Sequence, residues 1–202
     1  KKKQFYKPPY NAEMENRDAP SSGTVSQINV FIRFADDPEF PEPRSYYDAV
    51  FQTENDEPSL RHYFWEVSYN TLLVNTYHYP GTFGVNNTAY VDEYNRSYYQ
   101  PYSGANPDGY QNSNERTQRE HTLLANAINS ISPSVSALLD IDADGDGLVD
   151  AVSFVIYGGT GDWADLLWPH RWALYSQEVF INGARVYDYL FMLGGSSYFN
   201  VG

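Results

Sequence analysis

The sequence predicts a domain that mixes helices and strands, α+β or α/β rather than all-β, and three observations predict it. From Val25 to Phe34 the apolar residues alternate, with Ile28, Val30, Ile32 and Phe34 on one face and Gln27, Asn29 and Arg33 on the other, the period-2 signature of a half-buried strand. Two other segments place their apolar residues at helical spacing: Leu60, Tyr63, Phe64 and Val67, and then Leu124, Ala127, Ile128 and Ile131. Further β-branched and aromatic strands, Thr71 to Tyr79 and Val149 to Tyr157, are interleaved with those helices along the chain.

Taken in order, residues 1–23 carry Lys1, Lys2, Lys3 and Lys7 and end in Ala19-Pro20-Ser21-Ser22-Gly23, which predicts a flexible N-terminal linker before a domain spanning 24–202. The first strand stops at the turn sequence Ala35-Asp36-Asp37-Pro38. A short helix is expected over Ser45–Gln52, and a second opens at Pro58-Ser59 and stops at Asn70, a residue that tolerates the left-handed conformation. Pro80 to Asn114 is rich in Tyr, Asn, Gly and Pro and too long for a simple connection, so it is either functional surface or a loop packed by its own aromatics. Asn112 with Glu115 starts the longest helix, which runs to about Ser132 and is stopped by Pro133. The strand Val149–Tyr157 ends at Gly158-Gly159, and Val179–Tyr189 reads as a hairpin turning at Asn182-Gly183.

Charge and composition narrow the function. With 13 basic and 26 acidic residues the net charge is −13, the wrong sign for a nucleic-acid partner, whose phosphates are neutralised by Lys and Arg. Strongly acidic substrates are disfavoured for the same reason. No apolar run reaches the roughly 18–20 residues of a membrane helix. The absence of cysteine excludes thiol catalysis, disulfide scaffolds and Cys-based zinc sites. It is compatible with a secreted or extracellular protein that uses calcium in place of disulfides. No signal-peptide core is visible, so the numbering is expected to begin in a mature or trimmed protein.

The most chemically specific segment is Asp140-Ile141-Asp142-Ala143-Asp144-Gly145-Asp146-Gly147-Leu148-Val149-Asp150, with five Asp in eleven residues. Calcium is a hard cation that takes six to eight oxygens, and Asp at alternate positions with Gly at the bend wraps a chain around it. With Asp142 first, Asp144 and Asp146 fill the third and fifth ligand positions and Gly147 is the turn. Leu148 then offers its carbonyl, and Asp150 is ninth. The register starting at Asp140 puts Leu148 where an oxygen ligand is wanted. Position twelve of the preferred register is Ser153 rather than Glu, and a strand follows rather than a helix. A structural calcium staple is therefore expected, not an EF-hand sensor, with the remaining ligands supplied from elsewhere. Such crowding of like charges is costly without a cation.

The four histidines, His62, His78, His121 and His170, include no i, i+4 pair and no HExxH. Each reads better as a surface or core residue than as a metal ligand. His170, inside Trp168-Pro169-His170-Arg171-Trp172, is expected to be buried and hydrogen-bonded to backbone. There is no GxSxG and no GxxxxGK[ST], so the 202 residues contain no recognisable catalytic site.

The order of these features resembles the front half of the catalytic domain of the immune inhibitor A-like zinc metallopeptidases, secreted bacterial proteases. It runs from Val30–Asp36 through Ser68-Tyr69-Asn70-Thr71-Leu72, the Asp-Gly-Asp-Gly loop, Val152–Gly159 and Leu167–Trp172 to Tyr187-Asp188-Tyr189. The resemblance covers Val25 to the C-terminus. It implies a zincin-like α+β fold with a mixed twisted sheet, flanking helices and long loops, and zinc-dependent hydrolysis of protein or peptide substrates. In that family the segment matching Gly194–Gly202 runs into the helix carrying HExxHxxG, whose His residues bind zinc and whose Glu activates water. This sequence stops before such a helix, so no catalytic residue or zinc ligand carries over. The expectation is an inactive part of a zinc endopeptidase that needs the remainder of its catalytic domain as partner. The competing expectation is a calcium-dependent bacterial surface binding or adhesion module, with the aromatics of Tyr90–Tyr110 presented to sugar or protein.

Overall fold

A computed structural model describes residues 19–53 and 58–195; most of the predicted linker, and all but Gly194 and Gly195 of the C-terminal segment, lie outside them. The described chain mixes helices with a mostly parallel sheet. β1 (Gly23–Arg33) is its central strand, flanked in parallel by β2 (Leu72–Tyr79) on one side and β4 (Ala151–Ile156) on the other. β8 (Asp188–Leu193) continues the parallel set beside β4, and β5 (His170–Ala173) closes the edge antiparallel to β8, giving the order β2-β1-β4-β8-β5. The short β3 (Tyr90–Val91) pairs with the end of β1 beyond β2.

Both faces of the sheet are covered. The helix α3 (Ser113–Ile131) packs Leu123, Leu124, Ala127, Ile128 and Ile131 into a core with Ile28, Val30, Ile32, Phe154, Ile156, Phe191 and Leu193. On the opposite face α1 (Arg44–Gln52) brings Tyr47 and Phe51 against Phe31, Val155 and Met192. There α2 (Leu60–Val67) sets Leu60 and Phe64 against Val25, Leu72 and Val74. The alternation in β1 predicted a strand buried on one side only. The structure corrects this, because Gln27 and Asn29 on the second face are also buried, as a central strand covered by helices on both sides requires.

Those buried polar groups are joined in one chain of hydrogen bonds. The Thr76 hydroxyl donates to Gln27 Oε1 (2.9 Å), Gln27 Nε2 to Ser153 Oγ (2.9 Å), and Ser153 Oγ to Asn29 Oδ1 (2.6 Å). Asn29 Nδ2 then donates to His78 Nδ1 at 2.9 Å. Burial, with the Arg44 charge nearby, pushes the His78 pKa down to about 3, so the ring stays neutral and can accept. The chain ties β2, β1 and β4 at one register, where a slip would leave buried donors unsatisfied.

Local signals held where their partners were local. Ser59 caps α2 by accepting from His62 N, Asn112 caps α3 by accepting from Glu115 N (3.0 Å), and Asn70 is left-handed with φ of 65°. Two expectations need correction. In α2 only Leu60 and Phe64 face the core, while Tyr63 and Val67 are half exposed, because the eight-residue helix lies across the sheet margin. The predicted hairpin is confined to β6 (Phe180–Ile181) and β7 (Ala184–Arg185), turning at Asn182-Gly183 with both φ positive. Asp188 and Tyr189 belong instead to β8, whose partner β4 is far away in sequence. The long loop is packed by its own aromatics: Tyr99 stacks on Phe34 at 4.7 Å, and Tyr110 is buried. Among the described residues no helix is long and apolar enough to cross a membrane.

Candidate metal centre

The acidic loop lies between α3 and β4, and its form follows from its residue types. Gly145 and Gly147 have φ of 75° and 82°, conformations that strain any residue with a Cβ. Each of four Asp spends one carboxylate oxygen on a loop N–H. Asp142 Oδ2 accepts from Gly147 (3.0 Å), Asp144 Oδ1 from Asp146 (3.1 Å), Asp146 Oδ1 from Leu148 (2.8 Å), and Asp150 Oδ2 from Ala143 (2.9 Å). The loop exit is clamped by Arg185, whose N–H donates to Gly147 O (2.8 Å) and whose carbonyl accepts from Val149 N (2.9 Å). Asp150 N closes the neck on Ile141 O at 2.9 Å.

This folding gathers three of the predicted ligands. Oxygens of Asp142, Asp144 and Asp146 all lie within 4.8 Å of one another, the one such group of acidic or histidine side chains among the described residues. Asp150 stands outside that group with its carboxylate on Ala143 N, and Leu148 sits at the exit beside Arg185. Asp142 Oδ1 is buried without a hydrogen-bond partner, a condition that a bound ion or a water would relieve. None of the loop carboxylates has a Lys or Arg partner among the described residues. Burial, and after it the charges of Asp144, Asp142 and Asp140, raise the Asp150 pKa despite the Ala143 bond. Ser153, at the twelfth position, is buried in the polar chain of β4 and points to no ligand role.

The donor set fits calcium: all oxygen, carboxylate-rich and turned by glycine. It does not fit zinc, whose nitrogen and sulfur preference finds no gathered histidines here.

A second constellation escaped the sequence reading. Glu120, buried on α3, accepts from His170 Nε2 of β5 at 2.9 Å and from the Tyr189 hydroxyl of β8. His170 Nδ1 lies 2.5 Å from Trp168 O. With Glu120 ionised, both partners of the ring only accept, so both nitrogens donate and His170 is an imidazolium. Burial pulls the His170 pKa down, but the Glu120 hydrogen bond and charge outweigh it and hold the pKa above its ordinary value. The Glu120 carboxyl, pushed up by burial, is held below its ordinary value by His170 and Tyr189. His121, kept neutral by burial, bonds Ser176 Oγ through Nδ1 at 2.6 Å. A signal for Glu120 was present in the helix: it stands four residues before Leu124 and seven before Ala127, on the apolar stripe.

No family model matches the chain, and the search of curated proteins returned no match.

Proposed function

We propose that this chain is the front half of the catalytic domain of a secreted zinc-dependent endopeptidase, and that Asp142, Asp144, Asp146, Leu148 and Asp150 hold a structural calcium in it. The observation that carries the calcium part is the loop itself: three carboxylates brought within 4.8 Å, one oxygen buried and unpartnered, at the entrance to a central strand. The peptidase part rests on the order of sequence features from Val25 onward. Calcium bound there supplies positive charge that relieves carboxylate repulsion and fixes the start of β4. The mostly parallel sheet with one antiparallel edge strand is compatible with a zincin-like frame. An edge strand such as β5 also offers its backbone to an extended peptide. The described residues assemble no zinc set, so peptide hydrolysis is assigned to the complete catalytic domain and not to these residues alone.

Two measurements test the reading. Calorimetric titration should give one calcium site, lost in Asp144→Ala. The parent protein should hydrolyse casein in a zinc-dependent way, while residues 1–202 alone should not. Failure of the parent protein to hydrolyse casein would remove the peptidase assignment, hydrolysis that survives zinc chelation would remove its zinc dependence, and an absence of calcium uptake would remove the staple. A second reading, a calcium-dependent binding module without peptidase activity, draws on a separate observation, the tyrosine stack of the exposed Tyr94 on the part-buried Tyr98.

A further inference from the structure

The long loop and the first turns of α3 enclose a cleft of about 520 Å³, lined by Glu93, Tyr94, Asn95, Asp108, Gln111 and Arg119 among others. A second cleft of about 310 Å³ shares Glu93, Tyr94, Tyr98 and Arg119 with it, so the two meet along one aromatic ridge. Both volumes fall in the range of about 300–1,000 Å³ usual for small-molecule sites. Tyr94 and Tyr98 are stacked at 4.0 Å and nearly parallel, and the Arg119 guanidinium lies 3.6 Å from the Tyr98 ring centroid. Tyr98 is thereby sandwiched, while Tyr94 remains 41 % exposed and presents its outer part to solvent.

The ridge is held rigid from below. Arg119 donates to Tyr98 O, to Asp108 O (2.7 Å) and to Glu115, and Glu115 accepts from Gln111 N at 2.8 Å. Tyr94 N donates to Asp92 Oδ2 (3.0 Å), Tyr94 O accepts from Ala35 N (3.0 Å), and the buried Tyr99 hydroxyl donates to the same Asp92 oxygen (2.8 Å). By contrast, the side chains of Glu93, Asn95, Asp108 and Gln111 are exposed and have no partner among the described residues. A fixed aromatic face is thus ringed by four free planar polar groups, two carboxylates and two amides.

We propose that this cleft is a saccharide-binding site, with a pyranose ring laid on Tyr94 and its hydroxyls taken by Glu93, Asn95, Asp108 and Gln111. An aromatic face suits the apolar C–H face of a sugar. Hydroxyls both donate and accept, which matches a ring of carboxylates and amides. A cationic ligand is the weaker fit. It favours enclosure by several ring faces, and here Arg119 already takes one face of Tyr98 while Tyr94 takes the other. The aromatic face needs no ordering on binding, and the ordering cost falls on the four free polar side chains. The second cleft continues the ridge, so an oligosaccharide is favoured over a single ring. The inference depends on neither the peptidase reading nor the calcium loop.

The test uses titration of the chain with cellohexaose, xylohexaose, chitohexaose and maltohexaose, followed by amide chemical shifts, with hexalysine as the cationic probe. Binding of at least one hexasaccharide is expected, with shifts centred on 93–98 and 107–111. Tyr94→Ala should weaken it about tenfold or more, and Gln111→Ala by several-fold. Both side chains are exposed, and unchanged far-UV circular dichroism will establish that each variant is folded. Failure of all four sugars to bind overturns the proposal, as does sugar binding that Tyr94→Ala leaves intact. Binding of hexalysine alone overturns it in favour of a cationic ligand.

Discussion

Two carboxylate sites in this protein solve opposite problems. In the Asp142–Asp150 loop the charges come from neighbouring residues, lie near the surface, and have no cationic side chain among the described residues to neutralise them. At Glu120 a single charge is buried and answered from two other elements, by His170 of β5 and Tyr189 of β8. The first site is incomplete and invites an external cation. The second is internally neutral, and what it joins is tertiary structure: the long helix to the antiparallel edge strand and its neighbour. One site should therefore respond to what is in the buffer, and the other to what is done to the chain.

The largest expected effect comes from breaking the buried site. Glu120→Ala leaves a part-buried imidazolium and a buried phenol hydroxyl without their acceptor. Removing one partner of a fully buried pair costs about 3–5 kcal/mol, and the partial exposure of His170 sets the expected loss at or below the lower end of that range. Urea denaturation should register that loss. Glu120→Gln keeps an acceptor for Tyr189 but removes the charge opposite His170, and should lie between wild type and Glu120→Ala. If both variants unfold at the wild-type midpoint, the Glu120 cluster is not what secures α3 to β5.

The same contrast explains what could be read from the sequence. The metal-ligand candidates are legible because a cation loop is contiguous: Asp142, Asp144 and Asp146 announce themselves by spacing, and backbone folding alone brings them together. The cap at Asn112 and the apolar stripe of α3 are legible for the same reason. The alternation of β1 puts Gln27 and Asn29 on a solvent face, because their partners Thr76, Ser153 and His78 come from strands far along the chain. Glu120 needs partners fifty and sixty-nine residues away, and no local pattern names them. Tyr189 followed the hairpin in the sequence reading for a related reason: period-2 alternation identifies a strand but not its neighbour.

Calcium sharpens the comparison at the next scale. A cation that binds only the folded loop stabilises by RT ln(1 + [L]/Kd), about 2.7 kcal/mol at a hundredfold excess over Kd. Thermal unfolding of wild type should therefore move upward with added calcium and downward in EDTA. Asp142→Asn, which weakens the ligand bearing the buried unpartnered oxygen, should lose most of that dependence. Glu120→Gln should keep all of it. Equal calcium dependence in wild type and Asp142→Asn would remove the loop as the binding site.

The smallest effect is the most discriminating, since it separates an ion pair from mere packing at Glu120. The folded His170 pKa is raised above its ordinary 6.5, so the stability it contributes is full below that value and is lost as pH rises through the folded pKa. The folded Glu120 pKa is lowered below its ordinary 4.5, so its contribution is present above that value and lost as pH falls through the folded pKa. The pair should hold the protein at a plateau between these limits, with a decline on the alkaline side. In His170→Gln the alkaline decline attributable to this ring should vanish, whereas in a calcium-site variant it should persist. Stability measured by urea at half-unit pH steps, in saturating calcium, reads the difference. A wild-type curve that rises from pH 6.5 to 8.5 in step with His170→Gln would mean the ring is neutral in the fold, and that the Glu120 cluster holds by hydrogen bonding without charge.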